Sequence, residues 1–366
     1  MTPQVGQPRA AVAGLILAAA LLSIAQLASA TAAPPAAVPT AAPPAQSLTL
    51  LPPPSHGQPV NIGVGIHIIN IASIDEVKEQ FEIDGYLIGK WVDSRLRYVP
   101  AGPGDEERDF QRDQIWIPYF EMVNAVTPRE RYDTSIRVAP DGSVTYLERF
   151  HVVLSSRFAL RRFPFDSQSL LIIIHPFVRQ LSRITYSLFD HHIWTAREFN
   201  QYSSLAQWDF EAVEPYIGSD VLYNGVSVAE ARFTIKVKRR SNFYVWKVIL
   251  PLTLMVLLSW SVFWVEARDL SNQVQIAVTT ILTVIAFAFA ISASMPRVPY
   301  LTYIDAFFLT CYVFVFLAIV ELMSVHLAHR REGTTDLGIR IQRMCRWFVP
   351  VSFLVTNVIL IVHFLA

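Results

Sequence analysis

Arg162-Phe163-Pro164-Phe165-Asp166-Ser167-Gln168 reads RFPFDSQ. A proline between two phenylalanines does not belong in a central strand, because it removes a ladder hydrogen bond. The stretch predicts a rigid turn with an apolar tip, followed at once by a carboxylate. An exposed apolar tip marks a contact, and the sequence on either side indicates with what.

From Val60 to about Arg240 the pattern is that of strands. Asn61-Ile62-Gly63-Val64-Gly65-Ile66-His67-Ile68 alternates with period two, as a half-buried strand does. Gly142-Ser143-Val144-Thr145-Tyr146 follows a turn at Pro140-Asp141. Phe233-Thr234-Ile235-Lys236-Val237-Lys238 alternates cleanly and ends in Arg239-Arg240. The Gly63-x-Gly65 pair lies inside a strand pattern and so does not read as a phosphate loop. Many short strands without helical periodicity predict one immunoglobulin-like all-β sandwich of about ten strands over residues 60–240.

After Arg240 the chemistry changes. Four apolar runs, at about 243–265, 271–293, 303–327 and 343–366, each approach the length needed to cross a bilayer as a helix. Pro251 lies in the first, where it can kink a helix. Trp246, Tyr300, Tyr303 and Trp347 sit near span ends, as interfacial aromatics do. The whole chain is 52% hydrophobic and only 16% charged, which points to several membrane spans rather than a soluble protein. A formal net charge of +0 gives no reason to expect a nucleic-acid partner.

At the N-terminus a single Arg9 precedes an apolar run that ends in Ala28-Ser29-Ala30. This reads as a secretory signal peptide over residues 1–30, with an uncleaved anchor helix as the alternative. Residues 31–59, rich in Ala and Pro, read as a disordered tether. Export of the β half places the connection between the third and fourth spans in the cytosol. That connection carries Arg330, Arg331, Arg340 and Arg343, in accord with the positive-inside rule. The expected location is a bacterial inner membrane, with the sandwich outside. The two cysteines, Cys311 and Cys345, both belong to the membrane half, so the exported half has no disulfide of its own.

In the second span Gln275, Thr279, Leu282, Ala286 and Phe289 are spaced by 4, 3, 4 and 3 residues and share one helix face. The stripe is polar at its cytosolic end and apolar at its outer end. It reads either as a seam between helices of one bundle or, with several copies around an axis, as the wall of a pore whose apolar rings stop ions by dewetting. Glu321 inside the third span is a functional candidate by position, or a side chain that snorkels to the interface. His191-His192 would point to opposite faces of a strand and do not suggest a shared ion. His326 and His329, one turn apart at a span end, read as interfacial. No metal, cofactor or enzymatic nucleophile–base set is expected.

These segments resemble the pentameric ligand-gated ion channels, the Cys-loop receptor family. RFPFDSQ resembles the family's signature turn, and residues 273–305 resemble its pore helix and the loop after it. Trp246 with Ile249-Leu250-Pro251, and Ser259 to Trp264, resemble its first helix. Within the family, Asp84-Gly85-Tyr86, Trp116-Ile117-Pro118 and Met295 to Tyr300 are similar to the amine-gated, Erwinia-type bacterial branch. The resemblance implies a homopentamer with a central pore, opened by a small ligand such as a primary amine and passing cations. It places the agonist between adjacent sandwiches, against Tyr86, Glu121, Phe177 and Tyr223. His67 and His175 stand where that branch has Phe and an acidic residue, which leaves a different ligand or gating by protons as an alternative. Ser271-Asn272-Gln273 supplies no charge where cation channels of the family place Glu, which leaves an anion-selective channel open, and a non-conducting ligand sensor of the same fold is the remaining alternative. The family's paired cysteines would fall near Ser156 and Leu170, so the covalent loop is absent. The resemblance also implies a coupling role for Phe163, Pro164, Phe165 and Asp166. They would act against Arg239 or Arg240 and against the loop that holds Arg297 and Pro299.

Overall fold

The computed structural model describes residues 50–55, 57–177, 183–189, 205–222, 225–264, 270–292, 298–330 and 335–365. The signal-peptide reading, residues 31–49 of the tether reading, and the pair His191-His192 lie outside them. The end of the tether corrects the expectation of disorder: Pro53 is buried and the Leu51 carbonyl accepts from Arg95 Nη2 at 2.8 Å, so residues 50–55 pack on the sandwich.

The alternating segments form ten strands in two sheets. One sheet has the order β3 (Arg108–Asp109), β5 (Glu130–Val138), β6 (Ser143–Ser155), β2 (Gln80–Val92), β1 (Val60–Asp75), β8 (Ile184–Leu188). The other has the order β4 (Phe120–Met122), β7 (Ser167–Pro176), β10 (Ser227–Arg239), β9 (Trp208–Val221). Every pairing is antiparallel except β1 with β8. The period-two pattern sets the inner faces. Ile62 and Val64 of β1, Ile83 and Leu87 of β2, and Val152 and Leu154 of β6 meet Leu170, Ile172 and Ile174 of β7 and Ile235 and Val237 of β10 in one apolar core.

The turn into β6 shows why its sequence is Pro140-Asp141-Gly142. Gly142 has φ +83°, and a Cβ there would lie 2.5 Å from the Asp93 carbonyl oxygen, so only glycine fits. Asp141 Oδ1 accepts from the Ser143 N–H at 2.9 Å and closes the turn.

Four helices are long and apolar enough to cross a membrane: Asn242–Trp264, Gln273–Ser292, Tyr303–Leu327 and Arg340–Leu365. The first, α1, changes its winding. Residues Val245–Ile249 form a π-helical turn directly before Pro251, whose missing N–H and ring disturb the α-helical ladder. The second helix, α2, runs Leu270–Ser292, the third, α3, Tyr303–Arg330, and the fourth, α4, Thr335–Leu365. Helices α3 and α4 extend past the apolar runs, so Arg330, Arg340 and Arg343 belong to helices rather than to a loop. Rings lock the bundle: Phe353 of α4 stands edge-on to Trp260 of α1 at 5.4 Å and to Phe314 of α3 at 5.1 Å.

Candidate functional site

Two places hold the residues the sequence singles out. At the foot of the sandwich, residues 161–165 turn and Phe163-Pro164 is a cis peptide bond. The tip is not exposed: Phe163 is buried, edge-on to Tyr244 of α1 at 4.8 Å. This corrects the expectation that both phenylalanines wedge against the loop after α2. Among the described residues, Phe165 is the phenylalanine that turns that way, edge-on to Tyr303 at the start of α3 at 5.5 Å. The backbone adds two ties. The Tyr303 N–H donates to the Arg161 carbonyl at 3.0 Å, and the Leu160 N–H donates to the Tyr300 hydroxyl oxygen at 3.1 Å. Pro299 is exposed, and Arg297 lies outside the described residues.

Asp166 takes Arg239 as its partner, not Arg240. Both side chains are 1% exposed, with Arg239 Nε 2.8 Å from Asp166 Oδ1 and Nη2 3.2 Å from Oδ2. Adjacent strand residues point to opposite faces, so Arg240 turns outward and pairs with Asp209 at 2.6 Å instead. Arg239 also reaches Glu76 at 2.7 Å and lies against the rings of Trp208 and Phe163, at 4.1 and 4.8 Å from their centroids. Burial disfavours this cation, but the bonds to Asp166 and then Glu76 outweigh burial and raise its pKa above the ordinary arginine value. Glu76 and Trp208 are absent from the sequence reading. Neither is near the turn in sequence, and only the sheet register brings them there.

The turn is closed without a disulfide. The Gln168 side-chain amide accepts from the Ala159 N–H at 2.9 Å and donates to the Ala159 carbonyl at 3.1 Å, and it also donates to Asp166. Ser156 Oγ donates to the Ser169 carbonyl at 3.0 Å. These bonds span the positions near which the family's cysteines would fall.

The residues expected around a ligand divide into two groups on different sheets. His67 and Tyr86 are register partners on β1 and β2, with rings 6.3 Å apart, in the six-stranded sheet. Glu121 and His175 are register partners on β4 and β7 in the four-stranded sheet. Phe177, half-exposed beyond β7, packs its ring 5.0 Å from Tyr119. Tyr223 lies outside the described residues. His175 is buried, and its Nε2 lies 3.3 Å from Glu230 Oε2.

A buried charge cluster beside this group escaped the sequence reading. Glu148, fully buried, receives Arg129 at 2.9 Å, Arg131 at 3.3 Å and the Tyr146 hydroxyl. Burial, with the neighbouring Glu148 carboxylate, pushes the Tyr146 phenol far up. Burial lowers the Arg129 pKa and Glu148 offsets only part of it. The signal was present: Glu148 is in phase with the inward-facing Val144, Tyr146, Phe150 and Val152 of β6.

In α2, Gln273, Ala277, Thr280 and Val284 face the bundle and are buried. Gln275, Thr279, Leu282, Ala286 and Phe289 all face away and are exposed in the single chain, Leu282 by 65% and Phe289 by 74%. Within the single chain the stripe is therefore not a seam with α1, α3 or α4.

A ten-stranded sandwich tied by such a turn to four membrane helices is the fold of the pentameric ligand-gated channels. Residues 48–241 match the neurotransmitter-gated ion-channel ligand binding domain, and residues 248–339 match the neurotransmitter-gated ion-channel transmembrane region. The chain belongs to this family of multi-pass membrane ion channels, the Cys-loop family. A proton-gated ion channel of Gloeobacter violaceus is 29% identical over 321 residues, 86% of this chain and 86% of that protein. A gamma-aminobutyric acid receptor subunit beta-4 of Gallus gallus is 29% identical over 288 residues, 75% of this chain and 57% of that subunit.

Proposed function

We propose that five copies of this chain form a ligand-gated, cation-selective channel in a bacterial inner membrane, with the sandwich on the outer side. The observation that carries this is the exposed stripe on α2. A bilayer-spanning helix that turns Gln275 and Thr279 away from its own bundle needs a polar surface to face. Copies of the same helix around a water-filled axis supply one. Leu282 and Phe289 then form the constrictions that dewet when the channel is shut. Pore lining by these five residues is part of the proposal, as is coupling through Phe165, Asp166 and Arg239.

The ligand is a small cation such as a primary amine, held between adjacent sandwiches. Two observations support this. The expected residues stand on separate sheets of one chain, so a second copy is needed to bring a His67–Tyr86 face to a Glu121–Phe177 face. Carboxylates also outnumber cations where β4, β7, β9 and β10 meet, with Glu121, Asp220 and Glu230 against Arg232 and His175. Cation passage is supported by Glu266 and Asp269 against the single Arg268 just before the second span.

Purified protein in planar bilayers, with primary amines applied across pH 4 to 8 and asymmetric salt, tests the reading. Amine-evoked current that reverses near the cation potential is expected. Reversal at the chloride potential sinks the selectivity, and silence under every condition sinks conduction. A second reading, gating by protons, is favoured by His151. Its two ring nitrogens lie 3.0 Å from Asp84 and 3.2 Å from Glu82 on the outer face of β2. Current evoked by acid alone selects it.

A further inference from the structure

We propose that His175, Asp220 and Glu230 form a binding site for a divalent transition-metal ion of the zinc type. The three donors come from three adjacent strands. Ala231 pairs with Ile174, which puts Glu230 and His175 one step further along β10 and β7, and Asp220 on β9 pairs with Val228. Ile174 and Ala231 face the core, so their neighbours His175 and Glu230 face outward. An outward histidine and glutamate are ordinarily solvated, yet here they are 6% and 3% exposed.

The distances suit a metal. His175 Nε2 lies 3.3 Å from Glu230 Oε2 and 4.0 Å from Asp220 Oδ2, and all three donors lie within 4.8 Å of one another. Tetrahedral coordination with bonds of about 2.0–2.2 Å sets donor separations of roughly 3.3–3.6 Å. The first distance already matches, and Asp220, exposed on its strand, needs only a small swing to match the second. One imidazole with two carboxylates is a donor set for zinc rather than for calcium, which takes more oxygens.

The Glu230 carboxylate is held from its far side. Arg232 Nη2 lies 2.6 Å from Oε1. That ion pair anchors one carboxylate oxygen and leaves Oε2 turned to His175, the kind of outer support that metal-binding carboxylates receive. Glu121 is the register partner of His175 on the neighbouring strand β4. A bound ion would pin β7 to the β9–β10 hairpin. The inference concerns one chain and stands whether or not the protein conducts.

The test is isothermal titration of untagged, metal-stripped full-length protein with zinc chloride, with the visible absorption of a cobalt-loaded sample as a geometric readout. One ion per chain and a tetrahedral cobalt spectrum are expected. His175→Ala and Glu230→Gln should abolish both. Because those side chains are buried and their replacement risks misfolding, the exposed Asp220→Asn carries the decision. It should weaken zinc by about tenfold or more, and Arg232→Gln by roughly 10–100-fold. Zinc affinity unchanged in Asp220→Asn overturns the proposal, as does absence of binding to the unaltered protein at millimolar zinc.

Discussion

Replacing Arg239 by glutamine should destabilise the protein more than any surface change. Arg239 sits at the foot of the sandwich with a side chain 1% exposed, between Asp166, also 1% exposed, and Glu76 at 20%. The substitution keeps a polar side chain but leaves two adjacent carboxylates without their cation. Removing one partner of a buried pair costs about 3–5 kcal/mol, because the remaining charge is stranded. The ring contacts with Trp208 and Phe163 are lost as well. For a domain of this size each kcal/mol moves the midpoint by roughly 2–4 °C, so a fall of roughly 6–20 °C is expected. Asp166→Asn should cost less, about 1.5–3 kcal/mol, because Arg239 keeps Glu76 as a counter-charge. The double variant should recover part of the loss, with a coupling of at least about 1 kcal/mol. Thermal midpoints from size-exclusion of detergent-solubilised protein give all three numbers. Midpoints for Arg239→Gln within about 2 °C of the parent, or a double variant that is strictly additive, would refute the reasoning.

Three further outcomes follow from the same geometry. Gln168→Leu removes both bonds to Ala159, and because Ala159 is exposed and its freed groups meet water, it should cost about 0.5–1.5 kcal/mol for each bond, read by the same thermal assay. Phe165→Leu and Tyr303→Leu should show a coupling of about 0.5–1.5 kcal/mol in a double-mutant cycle on agonist half-activation; strict additivity there would mean that the ring pair only packs. Asp105 has its pKa lowered to about 2, first by the hydrogen bond from Arg108 and then by that from the Ala101 N–H. A depressed carboxylate stabilises the fold above its unfolded value of about 3.9. That contribution is lost as pH falls toward 2, so Asp105→Asn should flatten the acid limb of the stability profile, measured by chemical denaturation.

The strands and spans were legible because their signals are local. Period two in Asn61 to Ile68 and in Phe233 to Lys238 needs no knowledge of distant residues, and neither does apolar length in the helices. The stripe from Gln275 to Phe289 was legible as one face, and what the sequence could not give is the buried face of α2 opposite it. Where the reading stopped short, long-range register decides. Asp166 had two arginine partners on paper, and the phase of β10 selects Arg239. Phe163 was expected at the loop after α2, but the turn aims it at Tyr244. Glu148 was readable as a carboxylate at a core position, yet its partners Arg129 and Arg131 come from another strand. The convergence of His175, Asp220 and Glu230 depends on the pairing of three strands and leaves no mark in any one segment.

The central claim is that the exposed face of α2 lines an ion path. Its most direct test uses a cysteine-free background and two neighbouring threonines, Thr279 on the exposed face and Thr280 on the buried one. Bilayer currents are recorded while a charged, thiol-reactive reagent is applied to the open channel. The account predicts that current through Thr279→Cys is blocked irreversibly, while Thr280→Cys is spared. Block of Thr280→Cys with Thr279→Cys untouched, or equal block of both, would contradict it.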